Sequence, residues 1–208
     1  MKIIKYEPRY EEGWLRCRVL AYLHTSMYED VKTEKPQFPG RPTIELIALE
    51  DDMVVGILDM VLDTEEIQTS FLAKGLGAFL SVIAVHPDYQ GRGIGQKLYE
   101  AALEELEKTP IEFIELYTRG DEPANNFYKK LGFELRLETY DVFGVEHSLG
   151  KEVVIKGMKN QRLLVETEDG QECKYTLVDG VYEVYDLAAL DEIDYDRYYP
   201  SRGYYKKL

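Results

Sequence analysis

Ala84-Val85-His86-Pro87-Asp88-Tyr89-Gln90-Gly91-Arg92-Gly93-Ile94-Gly95 is the stretch on which the reading of this 208-residue chain turns. Upstream of it, Leu76 to Val85 is almost continuously apolar, as a central strand covered on both faces requires. Downstream, Ile94, Leu98, Ala101 and Ala102 mark one face of a helix whose outer face carries Lys97, Glu100, Glu104 and Lys108, and Pro110 ends it. Between such a strand and such a helix, closely spaced glycines let backbone N–H groups converge. The helix N-terminus adds unpaired donors and partial positive charge. That combination suits phosphate, against the plain alternative of a strand-to-helix turn. A dinucleotide fingerprint is excluded because its third glycine would fall on Gln96, and a Walker loop because Gly-Lys-Ser/Thr is absent.

Working outward, Lys2 to Tyr6 reads as a first strand. From Glu11 a helical period follows in Trp14, Leu15, Val19, Tyr22, Leu23 and Met27, with Arg16, Arg18 and Glu29 off the stripe. Pro36, Pro39, Gly40 and Pro42 make Glu34 to Thr43 a loop. Ile44 to Glu50 and Val54 to Asp63 form an antiparallel hairpin around Asp51-Asp52-Met53. After the central strand and its helix, Ile111 to Thr118 is a strand. Pro123 to Leu131 is a short helix stopped by Gly132 in a left-handed cap, and Phe133 to Thr139 returns as strand. That alternation calls for at least one parallel crossover, so the sheet is mixed.

Beyond Gly150, Arg162 to Thr167, Glu172 to Val178 and Val181 to Asp186 are joined at Asp169-Gly170 and Asp179-Gly180, which reads as a three-stranded meander. Tyrosines crowd the tail around Tyr195, Tyr198, Tyr199, Tyr204 and Tyr205, as aromatics docked on the domain or as an interaction surface. Exposed hairpin edges there would suit a homodimer.

The chain carries 25 Lys+Arg against 39 Asp+Glu, a net charge of −14, which argues against a nonspecific grip on nucleic acid. Cys17 and Cys173 make no disulfide framework, no Cys/His cluster has metal-ligand spacing, and no metal is expected. With cysteines too few for a disulfide framework a reducing cytoplasm is the expected home, and with no apolar run approaching the roughly 18 residues of a membrane span no membrane partner is expected.

Gln90-Gly91-Arg92-Gly93-Ile94-Gly95 resembles the Q/R-x-x-G-x-G/A loop of the GNAT acetyltransferase superfamily, preceded by a similar apolar strand with a Val-x-Pro step. Asn125-Asn126-Phe127-Tyr128-Lys129-Lys130-Leu131-Gly132-Phe133 resembles that family's Ala-x-x-Phe/Leu-Tyr-x-x-x-Gly-Phe segment, in the right order and at the right distance. The resemblance covers Lys2 to Thr139. It implies an α+β, three-layer fold: a mixed, mostly antiparallel twisted sheet whose central strand splays from its parallel neighbour, flanked by helices. Residues 1–149 would be the acetyl-CoA-binding catalytic domain and 150–208 a β-rich extension outside the family pattern.

The resemblance further implies that the amides of Gly91, Arg92, Gly93, Ile94, Gly95 and Gln96, with Gln90, wrap the pyrophosphate of acetyl-CoA. Main-chain groups of Ile83 and Val85 would face its pantetheine arm. Asp121 stands where relatives often have an Asn on that arm, and it could equally cap the short helix.

Transfer of acetyl to an amine needs the amine uncharged, against a pKa of about 10.4 for an alkylammonium, and a proton for the departing thiolate. Tyr128 fits the acid. Phe79 stands where several relatives have a Glu base. That leaves Ser81 to hold a water, with Asp59, Glu115 and His24 as further candidates and His86 too close to the phosphate loop. The acceptor, a small-molecule or peptide amine, would enter past Tyr22, His24, Met27, Tyr28, Phe38 and Phe71. A CoA-binding regulatory or scaffold module without turnover, and a transferase of longer acyl groups, are the alternatives.

Overall fold

The computed structural model describes residues 1–143, 153–159, 162–178 and 181–208. They form two compact units, Met1–Leu116 with Tyr128–Phe133 and Tyr205–Leu208, and Tyr117–Phe127 with Glu134–Tyr204. The boundary expected between 149 and 150 lies outside the described residues.

In the first unit the strands β1 (Lys2–Lys5), β2 (Thr43–Glu50), β3 (Met53–Leu62), β4 (Gly77–Val85) and the start of β5 (Phe113–Arg119) lie side by side in that order. The first three pairings are antiparallel and β4–β5 is parallel, so the expected mixed sheet forms. Asp51 and Asp52 turn the β2–β3 hairpin at φ +47° and +63°. A two-residue turn that follows the strands' right-handed twist needs positive φ at both positions, and Asp tolerates it better than most residues.

Side-chain alternation along the strands gives the sheet two apolar faces. Trp14 and Cys17 of α1 (Glu11–Tyr22) pack on Ile47, Ile57, Val82 and Ala84. On the neighbouring residue's face, Gly56 lies under Ile94 and Leu98 of α2 (Ile94–Leu106).

The α1 stripe was expected to run on to Met27, but the helix ends at Tyr22. Thr25 captures the Tyr22 carbonyl with both its N–H, at 3.0 Å, and its hydroxyl, at 2.9 Å. A side chain that competes with the helix ladder in this way turns the chain out. Arg18, expected off the stripe, is buried: its guanidinium donates to the carbonyl and carboxylate of Asp30 and stacks 4.5 Å from the Tyr22 ring centroid.

Two buried carboxylates organise the connection from β3 to β4. Asp63 accepts from Arg41 at 3.0 Å and from the N–H groups of Thr69, Ser70 and Gly77. Glu115 accepts from the N–H of Phe71 at 3.0 Å and of Leu72 at 2.9 Å.

Helix α3 (Glu122–Lys130) is closed by Gly132 at φ +84°, the left-handed stop the sequence called for. In the second unit, β6 (Glu134–Phe143), β11 (Val181–Val184) and β10 (Tyr175–Val178) lie in that order beyond β12 (Arg197–Lys207). A separate ladder joins β7 (Val153–Lys159), β8 (Arg162–Thr167) and β9 (Glu172–Cys173). The run Glu172 to Val178, expected as one meander strand, bends at Lys174. Glu172 and Cys173 pair with β8, whereas Tyr175 to Val178 pair with β11. The Asp169-Gly170 turn is described, with Gly170 at φ +84°; Asp179-Gly180 lies outside the described residues.

Tyr204 of the tyrosine-rich tail is buried and donates to Asn125 Oδ1 at 2.8 Å, and Asn125 Nδ2 donates to the carbonyls of Arg119 and Asp121. Tyr195 and Tyr198 stay exposed, edge to face with one another. Among the described residues no helix is long and apolar enough to cross a membrane.

Candidate functional site

Strand β4 pairs with β3 from Ala78 to Val85, but its register with β5 covers only Gly77 to Phe79, opposite Phe113 to Glu115. The expected separation of the central strand from its parallel neighbour begins after Phe79. A bulge follows at once: Asp59 pairs with Val82 and Met60 with Leu80, so Ser81 is the extra residue. Bulges interrupt the two-residue alternation and re-aim side chains, and they recur beside active sites. The Ser81 hydroxyl donates to the Asp59 carbonyl at 3.1 Å.

At the other end of β4 the loop is built by its own side chains. His86 Nδ1 accepts from the N–H of Asp88, and a short 3-10 turn spans Pro87–Tyr89. Gln90 Nε2 donates to the Val85 carbonyl at 3.1 Å, tying the loop back to the strand. Arg92 folds back as well, donating to the Asp88 carbonyl at 2.8 Å with its guanidinium 4.8 Å from the Tyr89 ring centroid.

Gly91 at φ +73° and Gly93 at φ +75° take left-handed conformations, and a β-carbon at either would meet nothing within 4 Å. The backbone angle demands glycine there, while the side facing outward stays open. The first backbone bond of α2 runs from Lys97 N–H to the Gly93 carbonyl at 3.1 Å, so the N–H groups of Ile94, Gly95 and Gln96 precede the helix's own ladder. The first turn of α2 has no acidic residue to offset its positive end. Such an end favours an anion by roughly 0.3–1 kcal/mol when exposed, and more when partly buried.

Tyr128 is buried on α3, its ring edge-on to Phe133 at 6.0 Å. Burial first, then the neighbouring Tyr22 phenol, push its hydroxyl well above the ordinary phenol range. It therefore keeps its proton at neutral pH and can act as a donor.

Among the expected base candidates, Glu115 Oε2 accepts from two loop N–H groups, and His24 is exposed beyond the end of α1. Asp59 is buried in an ion cluster with Lys35, whose Nζ stands 3.1 Å from Asp59 Oδ2 and 2.5 Å from Glu45 Oε1, with the Tyr6 ring 4.8 Å away. Asp121 occupies the position before α3, where its carbonyl accepts the Asn125 N–H at 3.1 Å.

Sequence reasoning missed Lys35, Arg18 and Asn125. Lys35 sits in a proline-rich loop beside Lys32 and Glu34 with no local pattern to separate it from a solvated charge. Among the described residues no group of three or more His, Cys, Asp and Glu is arranged to hold a metal.

The residues that build this strand, loop and helix fall inside a match to the acetyltransferase (GNAT) family pattern over residues 6–133. N-alpha-acetyltransferase 30 of Schizosaccharomyces pombe is 29% identical over 93 residues, which are 44% of this chain and 58% of that protein. A mycothiol acetyltransferase of Saccharomonospora viridis is 46% identical over 54 residues, 26% of this chain and 18% of that protein. The chain thus spans less than two thirds of the length of these relatives. The crystal structure of a GNAT-family acetyltransferase from Streptococcus pneumoniae superposes with a TM-score of 0.56 at 13% identity, covering 100% of this chain and 99% of that one. With a match running through more than half its length, from just after the first strand to the glycine stop of α3, the chain belongs to the acetyltransferase (GNAT) family.

Proposed function

We propose that the protein is an N-acetyltransferase that moves the acetyl group of acetyl-CoA directly to a primary amine. The observation that carries this is the loop at Gly91 and Gly93, open on its outer side, with the unladdered N–H groups of Ile94, Gly95 and Gln96 behind it. A diphosphate suits that arrangement because it takes several N–H donors at once and complements the helix end. Bound there, acetyl-CoA supplies the activated acyl carbon. Arg92 contributes its amide, since its guanidinium is folded onto Tyr89. Ile83 and Val85 lie on the part of β4 beyond its register with β5, where an extended pantetheine arm would run; Gln90 braces the loop through the Val85 carbonyl.

Tyr128 gives its proton to the departing thiolate, and a water on Ser81 takes part in removing one from the amine. The acceptor class is a small-molecule or peptide amine, and the N-alpha-acetyltransferase among the relatives favours an α-amine. Phe79, in place of a strand carboxylate, favours a second reading, a CoA-binding regulatory module without turnover.

Two measurements decide. Calorimetry with coenzyme A should give saturable heat; its absence overturns both readings. Thiol release from acetyl-CoA in the presence of peptides with a free α-amine, and of polyamines, should exceed the rate without amine. Binding without release for every amine would leave the module.

A further inference from the structure

An acceptor amine reaches neutral water as an ammonium, so the reaction proposed above needs a group to take its proton, and β4 offers Phe79 where a carboxylate would serve. The candidates differ in what they have left to give. Glu115 Oε2 is engaged by the Phe71 and Leu72 N–H groups, and His86 Nδ1 by the Asp88 N–H at the phosphate loop. His24 lies exposed in the turn after α1.

Asp59 stands apart. It is directly across from the β4 bulge, where Ser81 is the inserted residue, and that bulge begins just past the last β4–β5 pair at Phe79. The residue is 3% exposed. Lys35 Nζ meets one of its oxygens, Oδ2, and a hydrogen bond from the Trp14 side chain also favours the ionised carboxylate.

We propose that Asp59 is the proton acceptor of the acyl-transfer step, reached from the amine through a water on Ser81, an inference that rests on the acetyltransfer reading of this site. The ammonium loses one proton through that water to the Asp59 carboxylate. The nitrogen lone pair then attacks the thioester carbon, and the C–S bond breaks as Tyr128 passes its proton to sulfur. The second proton of the nitrogen restores Tyr128, Asp59 releases its proton to solvent, and the amide, free thiol and one proton remain.

The surroundings of Asp59 fit the task. It is faced by Lys35 from the loop after α1, by Glu45 directly opposite on β2, by Trp14 and Tyr22 of α1, and by Tyr6 after β1; Glu11 of α1 accepts the Lys35 N–H. Burial raises its pKa most, Lys35 lowers it and Glu45 raises it, with a result of about 6. The carboxylate is ionised at neutral pH, yet closer to proton transfer than an exposed Asp.

The test is kcat/KM against pH for thiol release from acetyl-CoA, with a free-α-amine peptide as acceptor. Wild type should lose activity as pH falls through about 6. Asp59→Asn should lower kcat/KM about 100-fold or more and abolish that limb, with acetyl-CoA affinity within about twofold. Glu45→Gln, which removes an influence that raises Asp59, should move the limb to lower pH; this result stands even if Asp59→Asn does not fold. An Asp59→Asn profile parallel to wild type, or an unmoved limb in Glu45→Gln, overturns the assignment while acetyl transfer stands. No thiol release by wild type with any amine overturns the underlying reading and this one with it.

Discussion

Gly56 on β3 lies so close to Ile94, the first residue of α2, that a β-carbon at Gly56 would stand 2.8 Å from Ile94 Cγ2. Leu98 Cδ1 would be 3.0 Å away. The first turn of α2, with its N–H groups, is therefore seated on the bare backbone of β3. Gly56→Ala overpacks this contact and should destabilise the protein by about 1–3 kcal/mol in urea unfolding. Relief comes from α2 lifting off the strand, which moves the N–H groups of its first turn with it. Coenzyme A affinity should fall in the same variant, and an unchanged dissociation constant would show that the loop is not held through this contact.

Lys35 is the only cation in contact with the buried carboxylate of Asp59 among the described residues, and it neutralises Glu45 as well. Lys35→Met leaves two anions facing each other in the interior, which should cost about 3–5 kcal/mol. The pH dependence has a definite sign. Asp59 ionises at about 6 in the folded protein, above its ordinary 3.8, so the folded state holds the extra proton between those values. Its favourable contribution is complete below 3.8 and is lost as pH rises through about 6. Without Lys35, which lowers the folded value, that loss extends further upward. Urea unfolding at acidic and neutral pH should show the Lys35→Met deficit larger at neutral pH, and an equal deficit at both would place Lys35 outside the Asp59 equilibrium.

At Gly93 the demand is on the backbone alone. Gly93→Ala forces a β-carbon into φ +75° at a cost of about 1–2 kcal/mol, although no protein atom blocks it. The chain will relieve that strain by rotating the peptide, which disperses the N–H groups. Calorimetry should show coenzyme A binding weakened by about tenfold, the equivalent of 1.4 kcal/mol. Arg92→Ala, which removes a guanidinium folded onto Tyr89, should weaken it far less. The reverse order would mean that the cation, not the peptide cradle, holds the ligand.

The parts of this fold legible in the sequence are those written locally. The β2–β3 hairpin, the β4–loop–α2 unit and the Gly132 stop each depend on residues adjacent in the chain, and each lies where periodicity and turn chemistry place it. What escaped depends on partners far away in sequence. Arg18 looks solvated on a helical wheel because Asp30 and the Tyr22 ring, which bury it, are not part of that wheel. Lys35 is a loop charge until β2 and β3 close on it. The bend at Lys174 was hidden because β9 and β10 have similar residue character, and their choice of different partners is a tertiary decision. At the candidate site the glycine loop was readable for the same reason as the hairpin. The bulge at Ser81 was not, since an extra residue shows only against the register of the facing strand.

Tyr128→Phe separates chemistry from packing. The substitution removes only the hydroxyl oxygen and keeps the ring that packs edge-on to Phe133, so that ring contact is retained. If that hydroxyl protonates the thiolate, kcat should fall by about 10²-fold or more, the usual range for loss of a positioned acid, while acetyl-CoA affinity holds. The pH profile gives an independent check. Burial and Tyr22 hold the Tyr128 proton above the ordinary phenol range, so any alkaline limb of wild-type kcat from this group should lie at higher pH than an ordinary phenol would give. A Tyr128→Phe enzyme with wild-type kcat would remove the phenol from the mechanism and leave the thiolate to depart unassisted.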